Sequence, residues 1–200
     1  MRDHQPRGEE TRAHILQAAL DCFAREGYDA TGIAEICKCA GVSKGAFYHH
    51  FPSKHDLFMQ LMEIWLARLD LGLQAAQASG PDVPQALVNM AGMMRNVLAE
   101  ADNRVSIFLE FWTEALHDPT VWQETIAPYR RYRAFFAQLV DAGIAEGTLR
   151  PVDPELAAQV IVSLALGLLL QGLLDPQGAD WARVSQEAMQ LLLTGLAKGS

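Results

Sequence analysis

The stretch from Ala40 to Lys54 constrains this chain most, because it is typical of a turn, a short exposed helix and a stop. Gly41 suits the turn, since glycine adopts positive φ at no steric cost. Ser43 is a favoured N-cap residue, because its hydroxyl can accept a bond from a backbone N–H of the first helical turn. A helix is therefore predicted over residues 44–51, and Pro52 ends it.

Two phenylalanines decide which face of this short helix is buried. Phe47 and Phe51 lie four residues apart and share one side of the helix. The other side chains are small, cationic or hydrogen-bonding: Lys44, Gly45, Ala46, Tyr48, His49 and His50. Such a surface suits the major groove of DNA, which is wide enough to admit a helix.

Two motifs surround this helix. Residues 31–57 contain the pattern T-x-x-x-x-I-x-x-x-A-G-V-S-K-G-x-F-Y-H-H-F-x-S-K-x-x-L, and residues 11–28 contain T-R-x-x-I-L-x-A-A-L-x-x-F-x-x-x-G-Y. Together they resemble the DNA-binding segment of the tetracycline-repressor (TetR) family. Cys37 is a small apolar departure, since such sequences more often carry alanine there. The resemblance implies an effector cavity among the middle helices and a four-helix bundle between two subunits, and it favours a repressor.

The hydrophobic pattern predicts an all-α protein of about nine helices, with an N-terminal helix-turn-helix head and a C-terminal helical body for ligand binding and dimerisation. Thr31 is the expected cap of the second helix. Residues 1–8 are predicted to form a loose tail, whose Arg2 and Arg7 either reach DNA or have no role. The predicted helices cover residues 9–26, 32–39, 44–51, 54–78, 85–101, 105–117, 119–146, 156–174 and 180–197.

Charge divides the chain into two parts. Residues 1–55 hold seven Lys/Arg and seven Asp/Glu, whereas residues 56–200 hold nine against seventeen and carry the whole net charge of −8. Phosphate repels an acidic body, so only the head is expected to face DNA. We therefore predict a DNA-binding domain over residues 1–55 and an effector-binding and dimerisation domain over residues 56–200.

The polar N-terminus contains no apolar signal region, and three cysteines do not make a disulfide framework, so we expect a cytoplasmic protein. One predicted helix, residues 156–174, is apolar enough to resemble a membrane span. Gln159 and Gln171 lie inside it and acidic residues flank it, which argues against a membrane. We predict instead that it is buried between its own body and another subunit.

Five residues of the head are potential metal ligands: Cys37, Cys39, His49, His50 and His55. The two cysteines lie two positions apart on one predicted helix, so their side chains diverge by about 200°. A zinc pair normally has two to four intervening residues and a second pair to match, so we predict neither a metal nor another cofactor.

The candidate DNA contacts fall into two chemical groups. Five suit phosphates: Thr31, Ser43, Lys44, Tyr48 and Lys54. Four suit base edges or a close approach: Gly45, Ala46, His49 and His50. Two alternatives stay open, a solvated lysine at 54 and a packed core tyrosine at 48.

Methionines and aromatic residues recur on four successive helices of the body: Met62, Trp65, Leu69, Met90, Met93, Met94, Phe108, Phe111, Trp112, Tyr129, Tyr132 and Phe136. Such residues line adaptable apolar pockets, although residue by residue an ordinary core is the stronger interpretation. The resemblance favours a pocket for a small apolar or aromatic effector, and Glu110 or Glu114 facing inward would favour a cation. Helix 54–78 is apolar on two sides and is predicted to connect head and body.

One short helix reads too few base pairs for genomic specificity, so we predict a homodimer on a palindromic double-stranded operator. Its expected contacts lie on the last two helices: Ser163, Leu164, Gly167, Leu168, Gln171, Val184, Leu191 and Leu192. The predicted function is a ligand-responsive transcriptional repressor. A DNA-associated structural or division-control protein without an effector is the alternative. No nucleophile elbow or phosphate loop supports an enzyme, and Glu110 and Glu114 are better explained as solvent residues four apart.

Overall fold

A computed structural model describes residues 5–100 and 119–196, and within these ranges the chain is all-α, as predicted. The predicted helix over residues 105–117 lies outside the described residues. The helices are α1 (Gln5–Glu26), α2 (Ile33–Ala40), α3 (Lys44–His50), α4 (Lys54–Ala78), α5 (Val83–Gly92), α6 (Met94–Glu100), α7 (Pro119–Glu146), α8 (Pro154–Leu174) and α9 (Trp181–Leu196).

The first helix begins earlier than expected. Residues 5–8 belong to α1, so the prediction of a loose tail is wrong for them, while Arg2 lies outside the described residues. Proline is favoured in the first turn of a helix, where its missing N–H costs no hydrogen bond, and Pro6 occupies that turn. The helix ends before Gly27, whose φ is +84°.

Helices α1 to α3 and the first part of α4 enclose an aromatic core. Phe23, Phe47 and Phe58 are almost completely buried, and Ile36 and Leu57 fill the space between the helices. Phe23 and Phe58 lie 6.2 Å apart, measured between ring centroids, in an edge-to-face arrangement. Aromatic pairs in such geometry stabilise a core beyond the area they bury, so the short helices are held by packing more than by their own propensity.

The second unit departs from the predicted boundaries at two places. Asp82 caps α5 and accepts a bond from the N–H of Gln85, so this helix begins at Val83, two residues earlier than predicted, and Pro84 lies in its first turn. The single helix predicted over residues 85–101 is wrong, because α5 ends at Gly92 and a new helix starts at Met94. The N–H of Met93 bonds the carbonyl of Met90, which tightens the last turn of α5.

The described helices group into two compact units that meet in sequence inside α4, between Leu69 and Asp70. The predicted domain boundary, between residues 55 and 56, lies earlier in the chain than this division. The functions assigned to the two predicted domains stay predictions. In the second unit α7 packs on α8, and α9 packs on α5. Gly143 on α7 lets the Leu149 side chain pack against the helix backbone, since a methyl group there would collide with Leu149.

Candidate nucleic-acid interface

The turn between α2 and α3 has the geometry that its sequence predicts. Gly41 adopts φ +67° and ψ +29°, the left-handed conformation that only glycine takes without strain. Ser43 is the N-cap of α3, and its Oγ accepts a bond of 3.1 Å from the N–H of Ala46. Both predicted local features are confirmed, so the start of α3 is held by a cap as well as by packing.

The aromatic side of α3 faces the core and its polar side faces solvent. Phe47 and Phe51 are buried, and the Arg12 guanidinium lies 5.3 Å from the centroid of the Phe51 ring. Tyr48 is 53% exposed, so the alternative of a packed core tyrosine does not hold. The predicted contact residues of this helix form one exposed or half-exposed surface: Lys44, Gly45, Ala46, Tyr48, His49 and His50.

Gly45 has no structural reason to be glycine. A methyl group built there would meet only Ser43 Oγ, at 3.7 Å, which is ordinary contact. Glycine inside a helix costs roughly 0.5–1 kcal/mol relative to alanine. The missing side chain instead leaves room on the exposed face, where another backbone or a base edge can come close.

The two histidines at the end of α3 differ in their surroundings. The ring centroids of His49 and His50 lie 5.1 Å apart. Partial burial lowers the pKa of His50 from its ordinary 6.5, and the neighbouring His49 and Arg12 lower it further. His50 is therefore neutral at pH 7, and a neutral imidazole offers one donor and one acceptor.

Lys54 is bonded to its own protein. Its Nζ donates to the carbonyl of Tyr28 at 2.8 Å and to that of Thr31 at 3.1 Å, with a longer contact of 3.5 Å to Asp29. The same ammonium lies 4.2 Å from the centroid of the Tyr28 ring. Lys54 thus ties the start of α4 to the loop between α1 and α2, and it is not simply a solvated lysine. Its predicted phosphate contact stays a prediction.

Thr31 also points inward. It is buried, and its hydroxyl donates a bond of 2.7 Å to the carbonyl of Gly27 at the end of α1. The expectation that Thr31 caps the second helix is wrong, because Gly32 occupies the N-cap position without a side-chain bond. Its predicted role toward phosphate also stays untested.

The potential metal ligands do not converge. Cys37 is buried in the core of the head, whereas Cys39 on the same helix is exposed. Among residues 5–100 and 119–196 no three His, Cys, Asp or Glu side chains form a group that could hold an ion.

Nine of the predicted effector residues are described. Met62, Met90 and Met94 are buried, and the other six are partly buried: Trp65, Leu69, Met93, Tyr129, Tyr132 and Phe136. Three fall outside the described residues, with both candidate glutamates: Phe108, Glu110, Phe111, Trp112 and Glu114. Met62, Trp65 and Leu69 belong to the first unit, and the other six belong to the second.

Tyr132 is part of a polar cluster that the sequence did not reveal. Its hydroxyl donates to Asp70 Oδ1 at 2.8 Å, and Arg131 Nη2 lies 3.0 Å from Asp70 Oδ2. Burial, followed by the bond to Asp70, raises the pKa of Tyr132 to about 12. Asp70 and Arg131 are 61 positions apart in the chain, and no local spacing signals such a pair.

The predicted dimer contacts divide by exposure. Ser163, Gln171 and Leu191 are exposed, and a Cβ on Gly167 would meet nothing within 4 Å. Leu168 is buried inside its own unit, and the remaining three are partly buried: Leu164, Val184 and Leu192.

Four further residues of α8 are apolar and exposed, and the sequence analysis missed them: Leu156, Val160, Leu170 and Leu174. With Ser163 and Gly167 they follow spacings of four and three residues in alternation, which places all six on one stripe of the helix. This spacing could have revealed the exposed stripe from the sequence. The other positions of α8 are apolar too, however, so the stripe does not stand out in the pattern. By length and composition alone α8 also passes as a membrane span.

A glycine turn, a capped short helix with its aromatic side buried, and an exposed polar face define a helix-turn-helix DNA-binding protein. Residues 15–61 match the family described as bacterial regulatory proteins of the tetR family, and residues 85–197 match the BetI-type transcriptional repressor C-terminal domain. The chain belongs to the tetR family of transcriptional regulators. These are regulators rather than enzymes.

Individual relatives agree along most of the chain. It is 31% identical over 176 residues to the regulator BetI of Vibrio atlanticus, with 86% of each chain covered. It is 27% identical over 194 residues to the regulator AcrR of Shigella flexneri, with 92% of this chain and 88% of that protein covered.

Solved structures share the fold. A putative regulator from Saccharomonospora viridis in complex with choline superimposes with a TM-score of 0.82 at 22% identity, covering 96% of this chain and all of the other. The regulator FadR of Bacillus subtilis in complex with stearoyl-CoA gives 0.77 at 20% identity, covering 92% and 98%.

Proposed function

We propose that this chain is a cytoplasmic, homodimeric repressor that leaves a palindromic operator when a small apolar or aromatic effector binds its body. The observation that carries the proposal is the exposed face of α3. It presents Lys44, Tyr48 and His49 outward from a helix that is anchored by the buried Phe47 and by an N-cap. A helix of this kind reads base edges, while cationic and hydroxyl groups beside it fix its register on phosphates.

The apolar stripe of α8 supports the homodimer. Leu156 is 61% exposed and Leu174 is 77% exposed, and between them lie the small residues Ser163 and Gly167. Exposed apolar surface of this continuity is characteristic of a contact with another protein. Alternating spacings of four and three are those of helices that pack side by side, and small residues allow their backbones to approach. Leu191 on α9 is exposed to a similar degree, at 77%.

The effector proposal depends on family membership and on composition. The C-terminal match is to a repressor domain, and two proteins of the same fold were crystallised with choline and with stearoyl-CoA. The described methionines and aromatics of the second unit offer an adaptable apolar lining. A ligand that prefers the conformation that does not bind DNA weakens operator binding by its differential affinity, typically by about 1–3 kcal/mol.

The first experiment measures binding to duplex DNA from the region upstream of the gene for this protein, by gel shift and fluorescence anisotropy. Tyr48→Ala is expected to weaken binding on every sequence, because it removes an exposed hydroxyl that suits a phosphate and leaves the core intact. A wild-type protein that binds this DNA no better than unrelated duplex refutes the proposed operator.

The second experiment measures oligomeric state by sedimentation. Leu170→Glu places a charge on the stripe and is expected to yield monomer with weakened DNA binding. Leu71→Glu is the matched control, since Leu71 is 67% exposed on α4 and lies off the stripe. A wild-type chain that sediments as a monomer at micromolar concentration contradicts the homodimer.

The third experiment adds choline, a long-chain acyl-CoA and aromatic cations to the DNA complex. Release by at least one of them, with a matching rise in melting temperature of the free protein, supports effector control. Indifference to all of them favours the alternative of a DNA-associated structural protein.

A further inference from the structure

Two cysteine sulfurs meet between α1 and α2 of the head. Cys22 lies on α1 and is fully buried, and its Sγ donates a hydrogen bond to Cys39 Sγ on α2 at 3.3 Å. Cys39 is exposed to solvent. The third cysteine, Cys37, is buried and is not bonded to either of them. Of the pair, Cys39 is therefore the residue that a reagent from solution can reach, whereas Cys22 is shielded by the core.

We propose that Cys22 and Cys39 form a peroxide-sensitive thiol pair, whose oxidation to a disulfide lowers the affinity of the head for DNA. The disulfide is a transient one, because a reducing compartment restores the two thiols. Its effect on DNA binding rests on the proposed function, whereas its formation does not.

The oxidant is a hydroperoxide, and the step balances in two stages. The Cys39 thiolate attacks one peroxide oxygen, the O–O bond breaks, hydroxide leaves as water and Cys39 becomes a sulfenic acid. Cys22 then gives its proton to solvent and attacks the Cys39 sulfur, the S–O bond breaks and hydroxide again leaves as water. Two thiols lose two electrons and two protons, and one hydrogen peroxide becomes two waters.

The surroundings assign the order of these stages. Burial, followed by the bond to Cys39, raises the pKa of the Cys22 thiol to about 11, although Arg25 acts in the opposite direction. Cys22 is thus protonated and shielded, so Cys39 reacts first and Cys22 resolves the sulfenic acid. The Arg25 Nη2 atom, 3.8 Å from Cys22 Sγ and 2.9 Å from Glu35 Oε1, favours the thiolate of Cys22 as it forms.

We expect closure of the bond to draw the end of α2 toward α1, since the two sulfurs lie 3.3 Å apart in the reduced pair. A disulfide needs about 2.05 Å between sulfurs, so the pair must approach by about 1.3 Å. Cys39 is the last residue but one of α2, and Gly41 connects that helix to α3. A binding site tolerates displacements of only about 0.5 Å from its productive geometry. Because Gly41 joins the two helices, a shift at the end of α2 is expected to displace the start of the helix that faces DNA.

The test begins with the full-length protein and hydrogen peroxide. Thiol titration should fall from three groups to one, the intact mass should fall by two hydrogens, and peptide mapping should join the segments that contain Cys22 and Cys39. DNA affinity, measured on the upstream duplex selected above, should fall about 5- to 150-fold and recover with dithiothreitol.

Two variants isolate the pair. Cys39→Ser is expected to keep ordinary DNA binding and to lose the response to peroxide, because the exposed sulfur is gone. Cys37→Ala is the matched control on the same helix, and it should respond like the wild type. In Cys22→Ala the sulfenic acid of Cys39 should persist and react with dimedone.

Three results overturn the proposal: three thiols remaining after peroxide, a disulfide that joins two chains, or an internal disulfide that leaves DNA affinity unchanged. If the reduced protein binds no DNA, the proposed function fails, and thiol titration and mapping still decide whether the pair oxidises.

Discussion

Lys54→Met separates a positioning lysine from a phosphate-binding one. Methionine keeps most of the apolar stem and removes the ammonium, which donates bonds of 2.8 and 3.1 Å to two carbonyls. Each bond from a charged donor contributes about 1.5–3 kcal/mol, and the Tyr28 ring adds about 0.5–1 kcal/mol. Because Lys54 is half-exposed and solvent screens its charge, the loss lies at or below the sum of the low ends, so the expected loss of unfolding free energy is about 2–3.5 kcal/mol.

A loss of that size is easy to measure. For a chain of this length each kcal/mol lowers the melting temperature by about 2–4 °C, so the variant should melt roughly 5–15 °C below the wild type. DNA affinity should fall with it, since the loop that Lys54 ties to α4 leads directly into α2.

Lys44→Met is the matched control. Lys44 is exposed at the first position of α3, so its loss should leave the melting temperature nearly unchanged. It should weaken DNA binding uniformly and reduce the salt slope by about one phosphate contact. The reasoning is refuted if Lys54→Met melts like the wild type and changes the salt slope as Lys44→Met does, because Lys54 would then be a phosphate ligand.

Two further predictions concern the face of α3. Gly45→Ala should raise the unfolding free energy by about 0.5 kcal/mol and yet weaken DNA binding, because its methyl group makes only an ordinary contact with Ser43 in the free protein but meets a crowded surface in the complex. Urea titration beside anisotropy checks both signs. The pKa of His50 is lowered from 6.5, so its imidazole gains a proton only as the pH falls below 6.5; DNA affinity should rise there, because the cation attracts phosphate, and this rise should be smaller in His50→Gln. An equal pH response in both proteins would exclude His50.

The sequence predicts an element correctly where a turn glycine, a capping residue or a proline lies next to it. The turn at Gly41, the cap at Ser43 and the buried pair Phe47 and Phe51 were all predicted, and the structure has them. The predicted bounds of α4, residues 54–78, are also those observed. In each case a stop signal or a capping side chain stands beside the element, so the boundary depends on neighbours in sequence.

The break at Met93 depends on neighbours in space and was missed. A Cβ on Gly92 would lie 2.6 Å from the Gln186 side chain of α9, and a methyl group on Gly72 would collide with the end of Met93. Helix α5 ends where these two close approaches occur. The sequence from 85 to 101 contains neither proline nor a polar turn, so its pattern alone favours one continuous helix.

The dimer face shows a different limit. Nearly every position of α8 is apolar, and a helix that is apolar all round has no preferred face in its pattern. Leu168 and Leu170 have the same side chain two residues apart, yet the first is buried at 8% exposure and the second is 44% exposed. Only the position of α7 and α9 against one side of α8 distinguishes them, and that information is tertiary.

The DNA-binding motif mixes two kinds of residue that a sequence cannot separate. Lys44 and Lys54 are each the first residue of a helix, and a phosphate contact suits either. One ammonium is exposed, and the other is bonded to three carbonyls and lies over a tyrosine ring. The Thr31 hydroxyl likewise donates its hydrogen bond to a carbonyl at the end of α1, while the Tyr48 side chain is exposed to solvent. A short reading helix needs a scaffold that holds it within a fraction of an ångström. Part of such a motif therefore builds the scaffold, and mutation of either part is expected to weaken DNA binding, so melting temperature measured beside affinity is needed to assign each residue to its role.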